Sequence, residues 1–141
     1  MKTKLNLSIK TVMHLSCVVL SLVGLLFIFI SLGNVDYNYS KIGLIILLGV
    51  MAVLCYVANG YLTYKKQTEG VLATVLGFVS LALSMAVLGI IVWERAVLAS
   101  SLFTFDSQNT AGWNAFSISL VSVATYLLCS IATTISGFIK D

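Results

Sequence analysis

Few side chains in this sequence could do chemistry. His14 is the only histidine, and Cys17, Cys55 and Cys129 are the only thiols. A histidine near a membrane surface suits proton relay, haem ligation or a headgroup contact. A lone one offers no metal-ligand spacing, and no C-x-x-C pair supports thiol–disulfide exchange. Each cysteine falls in a different apolar run, where cysteine behaves as a small hydrophobe. There is no Ser–His–Asp set, no paired carboxylates, no glycine-rich phosphate loop and no cluster with metal-ligand spacing. The sequence therefore gives an enzyme reading nothing to rest on and implies no cofactor.

One polar group does stand out. His14, Tyr56, Asn59 and Tyr126, with Thr133 nearby, share one half of the chain's apolar thickness. Facing inward, they would line a patch open toward one side. That patch could hold a lipid headgroup, a quinone or a few waters, or form a hydrogen-bonded core that fixes helix register.

The elements that must position these residues are four apolar runs, Thr11–Leu32, Ile42–Tyr64, Val71–Trp93 and Trp113–Ile139. Each exceeds the roughly 18 apolar residues that mark a membrane-spanning helix. The composition is 60% hydrophobic and 9% charged, against about 25% charged in an ordinary soluble domain. Proline is absent, so no span carries a proline kink. The first run is preceded by lysines, as a signal peptide would be. Its length of about 22 residues exceeds the 7–15 of a signal core, which predicts a retained span.

The net charge of +3 does not point to nucleic acid; its placement is what informs. Lys2, Lys4, Lys10, Lys65, Lys66 and Lys140 flank one side of the runs, and only Lys41 and Arg95 flank the other. The positive-inside bias puts both termini in the cytoplasm, and Trp93 and Trp113 mark the outer interface. The expected fold is all-α: one four-helix antiparallel transmembrane bundle over 1–141, N-in and C-in, with short loops, in the plasma membrane. The basic rim favours anionic lipids.

Read at spacings of three and four, each run carries a small or polar stripe. The last run gives Ser119, Ser122, Tyr126, Cys129, Thr133 and Ser136, and the third gives Gly77, Ser80 and Ser84. In lipid no hydrophobic force pulls helices together, so small residues and hydroxyls mark the contact faces. Thr125, Ser130 and Thr134 broaden the last stripe beyond one face, which suggests a partner interface on that helix.

Outside the spans, the 94–112 segment reads as continued helix to about Phe103 and then a loop. Glu94, Arg95, Phe103, Phe105 and Asp106 are its candidate contacts, with Lys41 and Asp106 as ion partners for Glu94 and Arg95. The segment is too apolar for a freely solvated loop. The absence of charge deep in any run argues against a proton-coupled antiporter. The expected function is a non-catalytic accessory subunit. It would bind another integral membrane protein, or itself, through small-residue helix faces and the 94–112 segment. The alternative is a small homo-oligomeric transporter, flippase or channel using the inner polar patch.

The charge bias is directly measurable. A fluorescent protein fused after Asp141 is expected to fluoresce and an alkaline phosphatase there to stay inactive, with the reverse at Gln108. Equal phosphatase activity at both sites rules out this orientation.

Overall fold

The computed structural model describes residues 9–31, 33, 39–65, 71–104 and 107–138. These form four helices: α1 (Ile9–Ser31), α2 (Ile42–Tyr64), α3 (Val71–Thr104) and α4 (Thr110–Phe138). All four are long and apolar enough to cross a membrane. At 1.5 Å per residue, the 23 residues of α1 and of α2 reach about 34 Å, the thickness of a hydrocarbon core, whereas the 34 of α3 reach about 51 Å.

Local chemistry sets the helix ends. Gly33 closes α1 with its N–H on the Ile30 carbonyl, and the Lys65 N–H bonds the Tyr61 carbonyl at the end of α2. At the start of α4, the Asn109 Oδ1 accepts from the Gly112 N–H at 3.0 Å, satisfying a donor that the first helical turn would leave orphaned. The sequence reading began the fourth span at Trp113; this cap starts the helix at Thr110 instead. Trp113 Nε1 donates to the Ser107 carbonyl at 2.7 Å and ties down the α3–α4 connection.

Each helix packs on two others, α1 on α2 and α4, and α3 on α2 and α4, while the diagonal pairs touch only marginally. The cross-helix partners run in opposite chain order. Tyr56 meets Ser84 and Asn59 meets Ser80 between α2 and α3. Cys17 meets Cys129 and Gly24 meets Ser122 between α1 and α4.

The distribution of side chains is inside-out for a water-soluble protein. Ser21, Ser80, Ser84 and Ser122 are fully buried, while Val19, Leu54, Val71 and Phe78 stand exposed. The apolar core is small: Leu25, Ile28, Ile45, Val87, Ile91 and Tyr126 form one cluster, and Cys17, Ala52, Tyr56 and Cys129 a second. A lipid surround explains both facts, because an outward leucine there loses nothing.

Two glycines allow the tightest approaches. A Cβ on Gly24 would lie 2.6 Å from Thr125 Oγ1 and 2.8 Å from the Tyr126 ring. One on Gly49 would lie 2.5 Å from Leu25 and 2.9 Å from the Tyr126 hydroxyl. At Gly43 and Gly89 a Cβ would meet nothing within 4 Å. Gly24→Val is therefore expected to destabilise by about 1–3 kcal/mol through overpacking, and Gly89→Ala to change stability by less than about 0.5 kcal/mol. Unfolding of the detergent-solubilised variants, followed by circular dichroism, measures the difference.

Candidate functional site

Polar side chains gather at three levels along the bundle. The first is the end where α1 and α3 begin and α2 and α4 finish. Here an open cavity of about 530 Å³ is lined by residues from all four helices, among them Lys10, His14, Asn59, Thr63, Gly77 and Phe78. Asn59 Nδ2 donates to Ser80 Oγ at 3.3 Å, and Thr63 Oγ1 donates to the Asn59 carbonyl at 2.8 Å. His14 and Asn59 are both buried.

The second level lies immediately above. The Tyr56 hydroxyl is 2.6 Å from Ser84 Oγ and 3.1 Å from Thr133 Oγ1, which itself donates to the Cys129 carbonyl. Cys17 and Cys129 exchange weak thiol hydrogen bonds, each to the other's backbone carbonyl, at 3.8 and 3.4 Å. All three cysteines are free thiols. Of the four residues expected in the inner polar patch, the structure brings His14 and Asn59 to the cavity, while Tyr56 lies behind it, bonded to the cavity-lining Thr133. Tyr126 sits apart in the apolar cluster, its hydroxyl buried without a hydrogen-bond partner.

The third level is at the opposite end and centres on Ser119. Its hydroxyl accepts from Arg95 Nε at 2.8 Å and from the Tyr39 hydroxyl at 2.8 Å, and donates to the Ala115 carbonyl. One donor and two lone pairs are all a serine hydroxyl has, so Ser119 is saturated. The Arg95 guanidinium lies over the Tyr39 ring, 4.1 Å from its centroid, a close cation–π geometry. Arg95 and Tyr39 are both buried, at 7% and 3% exposure. Beside them, Glu94 Oε1 accepts from Ser40 Oγ at 2.6 Å and from the Lys41 backbone N–H at 3.0 Å. A carboxylate on α3 thus bonds the backbone N–H of Lys41, the N-cap residue of α2, which has no side-chain cap of its own. Lys41 does meet Glu94, through its backbone rather than its ammonium group.

Above this level α3 continues as helix to Thr104, and Phe103, Trp113 and Phe116 form an edge-to-face trio with centroids 5.2–6.2 Å apart. Phe105 and Asp106 lie outside the described residues.

The stripe of α4 is internal. Ser119, Ser122, Tyr126, Cys129, Thr133 and Ser136 are all buried; of Thr125, Ser130 and Thr134, which were expected to face a partner, the first two are buried as well and Thr134 is exposed. The reason is geometric: α4 packs on α1 and α3 at once, so two of its faces point inward. On α3, Ser80 and Ser84 are buried and Gly77 borders the cavity.

The sequence reading missed the Arg95–Tyr39–Ser119 cluster. The signal was there: continuing the α3 stripe from Ser80 and Ser84 in steps of three and four gives Val87, Ile91 and Arg95, all buried.

Among the described residues, no three His, Cys, Asp or Glu side chains gather as a metal site. No protein-family model, no curated protein and no solved structure matches the chain.

Ser119→Ala leaves two buried donors without their acceptor and is expected to cost about 2–4 kcal/mol. Tyr39→Phe should cost about 1 kcal/mol. The double variant is expected to fall short of the sum, since both act on one hydroxyl. Additive losses in a denaturant-unfolding cycle would show that the bond between them carries no stability.

Proposed function

We propose that the chain is a non-catalytic integral membrane subunit, an antiparallel bundle of the plasma membrane with both termini in the cytoplasm. It binds a larger membrane protein through the outward face of α3 and the helical extension above it. The carrying observation is the surface of α3. Of its most apolar stretch 22% is buried, against 39% for α4. Its exposed face includes Ala82, Ala86 and Gly89 at helical spacing, followed by Trp93 at 78% exposure and Val97 at 77%. Small residues spaced by four let a second helix backbone approach closely in lipid, and an exposed tryptophan is a strong anchor at an interface. The Phe103–Trp113–Phe116 trio extends this surface beyond the span, where an apolar patch favours a protein partner.

A transporter or channel reading draws on the cavity at the termini end. Above that cavity Tyr56, Tyr126, Ile28, Ile45, Val87 and Ile91 are fully buried and fill the bundle. A permeation path would require them to move, so the accessory reading is favoured.

Purification in mild detergent is expected to recover the chain with a stoichiometric, different membrane protein. Gly89→Leu, whose side chain projects into open space, should release that partner with no loss of thermal stability. A chain recovered as a functional monomer, or a Gly89→Leu variant that keeps its partner, overturns the proposal. Recovery as a homo-oligomer with ion or lipid flux in liposomes establishes the transporter instead.

A further inference from the structure

We propose that the cavity at the termini end binds one anionic phospholipid, its phosphate against Lys10 and His14 and one acyl chain along Gly77, Phe78 and Leu81. This site is separate from the partner face of α3 and does not depend on it.

The volume, about 530 Å³, lies within the roughly 300–1,000 Å³ of small-molecule sites. The cavity is open, so an occupant can enter it from outside the bundle. The character of the lining then selects it. On the α1 and α2 side stand Lys10, His14, Asn59 and Thr63, and among the described residues no aspartate or glutamate lines the cavity. His14, Asn59 and Thr63 are buried, at 5%, 4% and 6% exposure, while bordering this space. Lys10 supplies a full charge, and a phosphate accepts hydrogen bonds from ammonium, imidazole and amide donors together.

The α3 and α4 side is mixed: Thr74, Thr133, Thr134 and Ser136 line it inside, and apolar residues form its outer edge. Phe78 on α3 and Phe138 on α4 border the cavity and are 71% and 83% exposed, so its apolar wall continues onto the lipid-facing surface. Gly77 keeps that wall recessed, since a Cβ there would meet nothing within 4 Å. A cationic pocket that runs into an apolar, lipid-facing wall fits a molecule with an anionic head and a hydrocarbon tail. Water alone satisfies the polar half and leaves the apolar half unfilled. A small soluble anion does the same.

The test uses the full chain in mild detergent, titrated with phosphatidylglycerol and phosphatidylcholine of matched acyl chains and read by native mass spectrometry. One phosphatidylglycerol is expected to remain bound, about fivefold more tightly than phosphatidylcholine. Lys10→Gln should bring the two lipids to near parity. Gly77→Leu fills the recess and should abolish retention of both, with thermal stability unchanged. Equal retention of the two lipids by the unaltered chain overturns the headgroup assignment. Phosphatidylglycerol retained by Gly77→Leu overturns the acyl-chain assignment. Full displacement by glycerol 3-phosphate shows a site for a soluble phosphate-bearing anion, and retention of no lipid shows a water-filled cavity; either overturns the proposal.

Discussion

A bilayer removes the force that organises most protein interiors. A leucine turned inward gains little over one left facing acyl chains, so the helices must be held by close backbone approach and by hydrogen bonds between them. The bundle follows from this constraint. Gly24 and Gly49 let α1, α2 and α4 close on Tyr126, and polar side chains on facing helices find one another from Asn59–Ser80 through Tyr56–Ser84 to Arg95–Ser119. Many serine and threonine hydroxyls also bond back to their own helix carbonyls, as Ser130 and Thr134 do. A hydroxyl satisfied locally can be buried or exposed without leaving an unpaired proton in hydrocarbon.

The two ends of the bundle use polarity differently. At the Ser119 end three separate pieces of chain meet on one saturated hydroxyl, and a charged residue is buried with its ring and hydroxyl partners in place. Glu94 completes the arrangement by capping the helix that Tyr39 precedes, so α3 and the start of α2 are joined twice. At the termini end the polar groups border open space instead. The contrast separates a structural polar cluster from a binding one more clearly than residue type does, since both ends contain serines, threonines and one or two basic groups.

Much of this was legible in the sequence, because the relevant signals are periodic. Four apolar runs gave four helices, and the small stripes of α1, α2 and α4 coincide with the faces the structure buries. What was not legible depended on how many neighbours a helix has. The broad small surface of α4 reads as a surplus only if one face is internal; with two internal faces it is needed for packing. Arg95 was hidden by its charge. Its register belonged to the α3 stripe, but a basic residue beyond a tryptophan reads as interfacial even on a helix that continues past it. The cavity was half legible: the sequence reading set His14 beside Asn59, and both line it, but the α3 residues of its wall, such as Thr74 and Phe78, carry no signal that sets them apart.

The Ser119 cluster also has an order in time. Tyr39 precedes Arg95 in the chain and Ser119 follows it, so during synthesis the guanidinium can meet its ring before its hydroxyl acceptor exists. Until α4 is inserted, Arg95 Nε lacks its Ser119 acceptor and the α1–α3 portion is an unfinished object. Insertion of the last helix closes the cluster, bonding Arg95 and Tyr39 to one hydroxyl in a single step. The fourth helix therefore acts as the latch of assembly: a chain truncated before it keeps three long apolar spans yet lacks the residue that commits them to one another.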